Sequence, residues 1–293
     1  MTDSPGDSPA AARQRVRREL RQGRLATGLT QNEVARQLGM SLSKVQRIES
    51  AAVAVSDNDL RALLTLFGVT GQDTVDRLVA DAQLSRRERW WTAPEYRTYL
   101  PDGLRQLLQF EMTATQIRAY QPYLIPGVLQ TPAMAEHVIA EWSSKLSPEA
   151  RKLHYDVRIR RRKNVIDRPG GPRYLLILDE SVILRRLGSA ELMAGQLEDL
   201  AEVAARPNIS IRIVPMDQGA YLSHHGAFTV LDLGSDDAVL YRERYQEDSI
   251  THDPREITAY RQNFEEAWQK SFNEAATLRR ITARAMTLRA SLD

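Results

Sequence analysis

The side chains best suited to recognising another molecule lie between residues 29 and 50, in the stretch LTQNEVARQLGMSLSKVQRIES. Val45 and Ile48 are three residues apart, so a helix through them turns both side chains inward. Polar and apolar groups then remain on its outer face: Leu42, Ser43, Gln46 and Arg47. Because side chains of these types are compatible with a DNA groove, this face predicts a surface for nucleic-acid recognition.

Short helices must position this face. Thr30 and Glu33 match the capping box, in which the Thr hydroxyl accepts a hydrogen bond from the Glu amide and the carboxylate reaches back. A helix is therefore predicted to begin at Gln31. Gly39 permits the positive φ of a tight inter-helix turn, and Ser41 is the expected N-cap of the helix that carries the outer face.

Three more helices complete the predicted N-terminal domain. The first runs from Ala11 to Thr27, with three apolar residues expected on its inner face: Val16, Leu20 and Leu25. Ser56 is the expected cap of a fourth helix, and a fifth begins near Thr70. The polar residues 1–10 have little to bury and predict a disordered tail.

Composition excludes several classes of protein. The chain of 293 residues is 42% hydrophobic and 27% charged, as in ordinary soluble proteins. It has no apolar run of about 18 residues that could span a membrane. It contains no cysteine, which excludes disulfides, iron–sulfur clusters and sulfur-ligated zinc. The N-terminus lacks the order of a secretory signal, so a cytoplasmic location is expected.

Charge is unevenly distributed along the chain. The net charge is only +2, yet nine Arg or Lys residues face three Glu residues between positions 10 and 50. A local basic excess favours binding to the phosphates of nucleic acid. An Arg-rich helix exposed to solvent would have the same composition, so charge alone leaves both interpretations open.

The N-terminal pattern resembles the helix-turn-helix of the lambda-repressor-like, or xenobiotic-response-element, family. The matching residues are Arg24, Gly28, Leu29, Thr30, Gln31, Val34, Ala35, Leu38, Gly39, Ser41, Val45, Ile48 and Glu49. The resemblance implies that the third helix enters the major groove while the second crosses the DNA backbone. It also implies an internal ion pair between Arg24 and Glu49, which could otherwise be two surface charges.

The same resemblance implies particular DNA contacts. Base edges are approached by Leu42, Ser43 and Arg47, and of these Arg47 is best equipped to bind guanine through two hydrogen bonds. Phosphates are contacted by three polar residues, which fix the register without reading the sequence: Gln31, Ser41 and Lys44. A helical module that has lost DNA binding and serves only in protein contacts is the alternative.

An α/β pattern occupies the second half of the chain. Strand, helix and strand patterns succeed one another at 174–180, 191–206 and 209–215, which is the order of a parallel βαβ unit. Two more strand patterns, at 226–233 and 238–244, predict a hairpin in the same sheet, and two helices follow.

The predicted fold is therefore multidomain. An all-α helix-turn-helix domain at residues 11–82 is joined by a connector at 83–104 to a mixed α/β domain at 105–293. Within that domain, the stretch before Pro126-Gly127 fits either a helix or a strand.

The second half also resembles a family, the conserved C-terminal domain of actinobacterial WhiJ-type regulators. The resemblance covers roughly residues 105–280 and comprises Glu111, IPGVLQT, the Arg-rich helix at 158–163, LDESVILRRLG, QLEDL, RPNISIRIVP, GAFTVLDL and VLYRE. It implies a DNA-binding regulator whose second domain senses a ligand or docks a small partner protein, because genes for such proteins commonly lie beside this family.

A sequence-specific transcriptional regulator, acting as a repressor on double-stranded DNA, is thus the expected function. A homodimer is expected because one short recognition helix reads few base pairs. The alternative is an antitoxin-like module that sequesters a small partner protein and binds DNA only for autoregulation. No cofactor and no metal is expected in either case.

An enzyme is not expected, although acidic and histidine residues occur in the second half. The sequence has no HExxH, phosphate-binding glycine loop or GxSxG motif. In an extended segment, His224 and His225 would point to opposite faces and could not readily hold one ion, so polar contacts in a loop are favoured for them. Asp179 and Glu180 could bind a cationic ligand at a strand end, but a solvated strand end or helix cap is favoured. The run RIRRRK at 158–163 either supplements DNA contacts or forms a charged helix face, and the second interpretation is favoured.

Overall fold

A computed structural model describes residues 9–50, 53–85, 91, 93–142, 146–218, 224–234, 237–243 and 248–292. The chain divides into two compact units, Met1–Ala93 and Pro94–Asp293. The first is helical and the second contains a mixed sheet with helices, which confirms the predicted fold class. Residues 1–8 of the predicted tail lie outside the described residues, as do parts of the predicted connector.

In its described residues, the first unit contains five helices. They are α1 (Pro9–Thr27), α2 (Gln31–Gln37), α3 (Leu42–Glu49), α4 (Asp57–Leu66) and α5 (Gln72–Ser85). Val16 and Leu20 of α1 are buried in their common core as predicted. The prediction for Leu25 is wrong, since this residue is 60% exposed. It lies five positions after Leu20, which places it about 140° away around the helix and off the buried face.

The second unit alternates helices and strands. Its helices are α6 (Pro94–Tyr99), α7 (Asp102–Glu111), α8 (Pro132–Trp142), α9 (Pro148–Arg161), α10 (Glu180–Leu184), α11 (Ala190–Ala204), α12 (Pro254–Lys270) and α13 (Glu274–Ala290). Its strands are β1 (Gln116–Gln121), β2 (Arg173–Asp179), β3 (Ile209–Val214), β4 (Phe228–Asp232), β5 (Ala238–Arg242) and β6 (Ser249–Thr251). Helix α6 and the start of α7 thus occupy the segment predicted as a connector.

One sheet organises this unit, with strand order β3-β2-β1-β4-β5-β6. β1, β2 and β3 are parallel, and β4 to β6 are antiparallel to their neighbours. The register of β2 and β3 pairs Leu176 with Ile211. β2, α11 and β3 therefore form the predicted parallel βαβ unit, and β4 with β5 forms the predicted hairpin.

The sheet is covered on both faces. Leu175 and Ile177 of β2 share a core with Phe264 of α12, whereas Leu176 and the residues alternating with it pack with Leu197 of α11 and the apolar face of α13. Buried on both sides, β2 is apolar from residue 174 to residue 178, as parallel strands usually are. In the described part of the chain every helix is too short or too polar to cross a membrane.

Candidate nucleic-acid interface

Local hydrogen bonds fix where α2 begins. The Thr30 hydroxyl accepts from the Glu33 amide at 3.2 Å, and the Glu33 carboxylate accepts from the Thr30 amide at 2.8 Å. The capping box expected from the sequence is thus present. Hydrogen bonds from the Thr30 side chain and backbone lower the pKa of Glu33. The Glu33 carboxylate is therefore charged at neutral pH.

The turn between α2 and α3 depends on Gly39 and Ser41. Gly39 has φ +62°, a left-handed conformation that strains other residue types. The Ser41 hydroxyl then accepts from the Lys44 amide at 3.1 Å and caps α3. Gly39 and Ser41, the residues predicted for the turn and the cap, therefore set the direction in which α3 leaves the turn.

Glu49 connects three helices from its buried position at the end of α3. Its carboxylate accepts from Arg24 Nε of α1 at 2.6 Å and from Gln31 Nε2 of α2 at 2.8 Å. Its carbonyl oxygen accepts from Arg17 Nε at 2.7 Å. With Val45 also buried, α3 is held along its whole inner face.

The opposite face of α3 is exposed. Six of the residues proposed to contact DNA lie there or at its cap: Ser41, Leu42, Ser43, Lys44, Gln46 and Arg47. Arg47 forms no ion pair with any residue that the structure describes. The seventh, Gln31, is half-buried and its amide already donates to Glu49. Its side-chain nitrogen is therefore engaged inside the domain.

Lys44 has an acidic partner that the sequence did not indicate. Its Nζ lies 2.8 Å from Oδ1 of Asp59 in the first turn of α4. Partial burial raises the pKa of Asp59, but hydrogen bonds from Lys44 and Ser56 and the charge of Lys44 lower it overall. Asp59 is thus a carboxylate beside a lysine proposed to bind phosphate. The sequence did not predict this ion pair, because Lys44 and Asp59 lie in different helices and no local spacing rule pairs them.

The acidic and histidine candidates of the second unit have structural neighbours. Asp179 caps α10 by accepting from the Ser181 amide at 2.9 Å. Glu180 accepts from the Met216 amide at 3.3 Å. His224 and His225 lie in a turn, and the ring of His225 meets Tyr260 edge-on. Among the described residues, no group of three or more potential ligands could hold a metal ion.

The Arg-rich run at 158–163, which begins in α9 and continues beyond it, is partly engaged in ion pairs. Arg161 donates two hydrogen bonds to Glu111, at 2.9 and 2.7 Å. Arg162 likewise donates to Asp199 of α11 at 2.8 and 2.7 Å. Arg160 and Lys163 are exposed. The favoured interpretation, a charged helix face, therefore describes only part of the run.

Comparison with protein families matches both units. Residues 15–78 match a helix-turn-helix domain. Residues 104–283 match a domain of unknown function, DUF5753. No curated protein and no solved structure matches the chain.

Proposed function

We propose that this chain, which belongs to the DUF5753 family, is a sequence-specific DNA-binding transcriptional regulator that reads the major groove with α3. One observation carries the proposal: α3, within a matched helix-turn-helix domain, has a buried inner face and an exposed outer face. A short helix presented in this way is the part that such domains insert into the major groove.

The proposed contacts divide into two kinds. Arg47, with Leu42 and Ser43, reads base edges, and its guanidinium can donate two hydrogen bonds to one guanine. Ser41 and Lys44 contact phosphates, which position α3 without specifying sequence. Gln46 shares the exposed face and adds a further amide. Gln31 either contacts phosphate while its amide still donates to Glu49, or exchanges that hydrogen bond for one to the phosphate.

The second unit is proposed to control this activity. In keeping with the resemblance to WhiJ-type regulators, it senses a ligand or docks a small partner protein, and the active species is a homodimer that represses transcription. Two symmetric copies of α3 would supply the specificity that a single short helix lacks.

Gel-shift titration of DNA from the promoters of its own gene and of its neighbours tests the proposal. Arg47→Ala is expected to remove the preference for the selected site over random DNA. Lys44→Ala is expected to weaken both kinds of binding equally and to lower the salt dependence of affinity, by a slope of about 0.9 for each phosphate that is no longer neutralised. Arg255→Ala and Lys270→Ala, in the second unit, are the matched controls.

The proposal fails if the wild-type chain shows no salt-dependent affinity for DNA. Co-purification from the native cell adds an independent result. A small protein bound in equal amounts, with DNA binding limited to its own promoter, would favour the antitoxin-like alternative.

A further inference from the structure

A cavity in the second unit has the size and lining of a small-molecule site. Its volume is about 520 Å³, within the range of ligand pockets. It lies between the segment after β1, helices α8 and α11, and the end of α10. Its apolar wall is formed by Leu124, Ile125, Met134, Val182, Leu187 and Met193. An apolar body of a few rings would be shielded from water here.

The same wall contains a buried amide whose oxygen receives no hydrogen bond from the described residues. Gln130 is 3% exposed, and its Nε2 donates to the Ile125 carbonyl at 2.9 Å, which fixes the orientation of the amide. Among the described residues, no group donates to its Oε1. Buried acceptors are nearly always satisfied in proteins. Because this oxygen has almost no accessible surface, a ligand N–H or O–H group would satisfy it by displacing part of the wall.

Positive charge lies at the opening of the cavity. Arg185 and Arg186 line it and are both exposed. Toward the described residues, the Arg185 side chain donates only a long hydrogen bond, 3.3 Å, to the Tyr123 carbonyl. Within the described chain, Arg186 forms no ion pair. An anionic group on a ligand would therefore meet two guanidinium groups as it leaves the apolar wall.

We propose that this cavity binds a small amphipathic anion, with an apolar body against Met134 and Met193, an N–H or O–H donor on Gln130 Oε1, and an acidic group toward Arg185 and Arg186. This inference names the ligand class for the sensing role of the second unit, so it rests on that part of the proposed function.

A second cavity provides an internal comparison. It has a volume of about 340 Å³ and shares Leu124, Ile125 and Gln130 with the first, but its wall is charged. Arg161 pairs there with Glu111. Burial and the charge of Arg161 lower the pKa of Arg158 to about 10, although the charge of Glu243 opposes this shift. The charged cavity is therefore the rival site for an anion, and Arg158 distinguishes it from the apolar cavity.

Two fluorescent probes test the proposal on the full-length protein. Anilinonaphthalene sulfonate has an apolar body, an N–H donor and an anionic group, whereas N-phenylnaphthylamine lacks only the anion. Both are expected to bind with a stoichiometry of one per chain. Met193→Trp, which fills the cavity, should weaken both by about tenfold or more. Leu187→Trp, at a half-buried position, also fills the cavity. This variant is used instead if Met193→Trp does not fold.

Two polar variants locate the donor and the anion. Gln130→Met keeps the side-chain length and should weaken both probes by about three- to tenfold. Arg186→Gln should weaken only the sulfonate, by about two- to fivefold, because the pair is exposed. Arg158→Gln, which lines only the charged cavity, is the matched control and should change neither affinity.

Three results would overturn the proposal: no saturable binding of either probe, unchanged binding in a folded cavity-filling variant, or weaker sulfonate binding in Arg158→Gln than in Arg186→Gln. The last would place the ligand in the charged cavity. Gel shifts with the same proteins measure DNA binding separately, so failure of the cavity site and failure of the regulator are distinguishable.

Discussion

Each unit of the chain has a buried arginine–glutamate pair, and the two pairs are built differently. Arg24 and Glu49 approach to 2.6 Å, and Arg161 and Glu111 to 2.7 Å, with similar side-chain exposure. Arg24 also donates to the Leu29 carbonyl at 2.9 Å. Among the described residues, Arg161 donates only to Glu111. Arg24 therefore has a second acceptor, whereas Arg161 depends on one carboxylate.

The pKa of Arg161 reflects this dependence. Burial lowers it, but the charge of Glu111 and its hydrogen bonds outweigh burial and raise the pKa above its ordinary value. The guanidinium therefore stays charged in the core. A buried charge without its partner is strongly destabilising, so the comparison can be tested by removing each carboxylate in turn.

Glu111→Gln should produce the largest effect. We expect a loss of about 3–5 kcal/mol in the unfolding free energy of the second unit, because Arg161 loses the carboxylate to which it donates two hydrogen bonds. Calorimetry or urea unfolding measures the change. Glu265→Gln is the matched control, since Glu265 is 53% exposed beside Arg118 and should cost less than about 1 kcal/mol. Equal losses in these two variants would show that burial of the Arg161–Glu111 pair adds nothing to its contribution to stability.

Glu49→Gln should have an intermediate effect. The new amide keeps one oxygen for Arg24, whose bond to the Leu29 carbonyl is retained. The bond from Arg17 to the backbone carbonyl of residue 49 is also retained. We expect a loss of about 1–3 kcal/mol, measured on the unfolding of the first unit. A loss as large as that of Glu111→Gln would show that the second acceptor of Arg24 contributes little.

The two pairs also differ in how far the sequence predicted them. Arg24 and Glu49 belong to a compact motif, so a resemblance to one family was enough to join them. The caps at Thr30 and Ser41 were predictable for a simpler reason, because each involves residues three apart. Such local rules predicted most of α2 and α3.

Contacts between distant segments were not predictable in this way. Glu111 and Arg161 were noted separately, but no spacing rule pairs α7 with α9. Strand β2 was predicted because it is an apolar run, which is typical of a strand buried on both faces. In β3, Ser210 and Arg212 are half-buried between buried apolar residues. β1 carries Gln116 and Arg118 among its apolar residues, which left a helix possible, and β6 has only three residues. Cavities also escaped prediction, since they depend on how helices pack.

His154, in α9 beside the charged cavity, should make the second unit sensitive to acid. Burial and the charge of Arg158 hold its pKa below the ordinary 6.5. The unfolded chain therefore binds a proton first, so this contribution to stability is full above about pH 6.5 and is lost as the pH falls through the folded-state pKa. We expect His154→Gln to reduce the fall in unfolding temperature between about pH 7 and about pH 5. His137→Gln is the control. An unchanged pH profile would contradict the role of His154.

The smallest effect is expected at the surface pair of Lys44 and Asp59. Asp59 holds the Lys44 ammonium at 2.8 Å and places a negative charge near the proposed phosphate contacts. Asp59→Asn should release Lys44 and raise DNA affinity by about two- to fivefold at low salt, an energy typical of exposed pairs. Asp73→Asn removes the same charge from the first turn of α5 and controls for net charge.

A double variant decides whether the gain in affinity passes through Lys44. If Asp59 acts by holding the ammonium, Asp59→Asn should add nothing when Lys44 is already alanine, because the two substitutions then remove one interaction. The salt dependence of binding should also rise only in the variant that keeps Lys44. An equal gain with and without Lys44 would mean that Asp59 simply repels DNA. The proposed phosphate contact of Lys44 would then be tested by the salt dependence of Lys44→Ala alone.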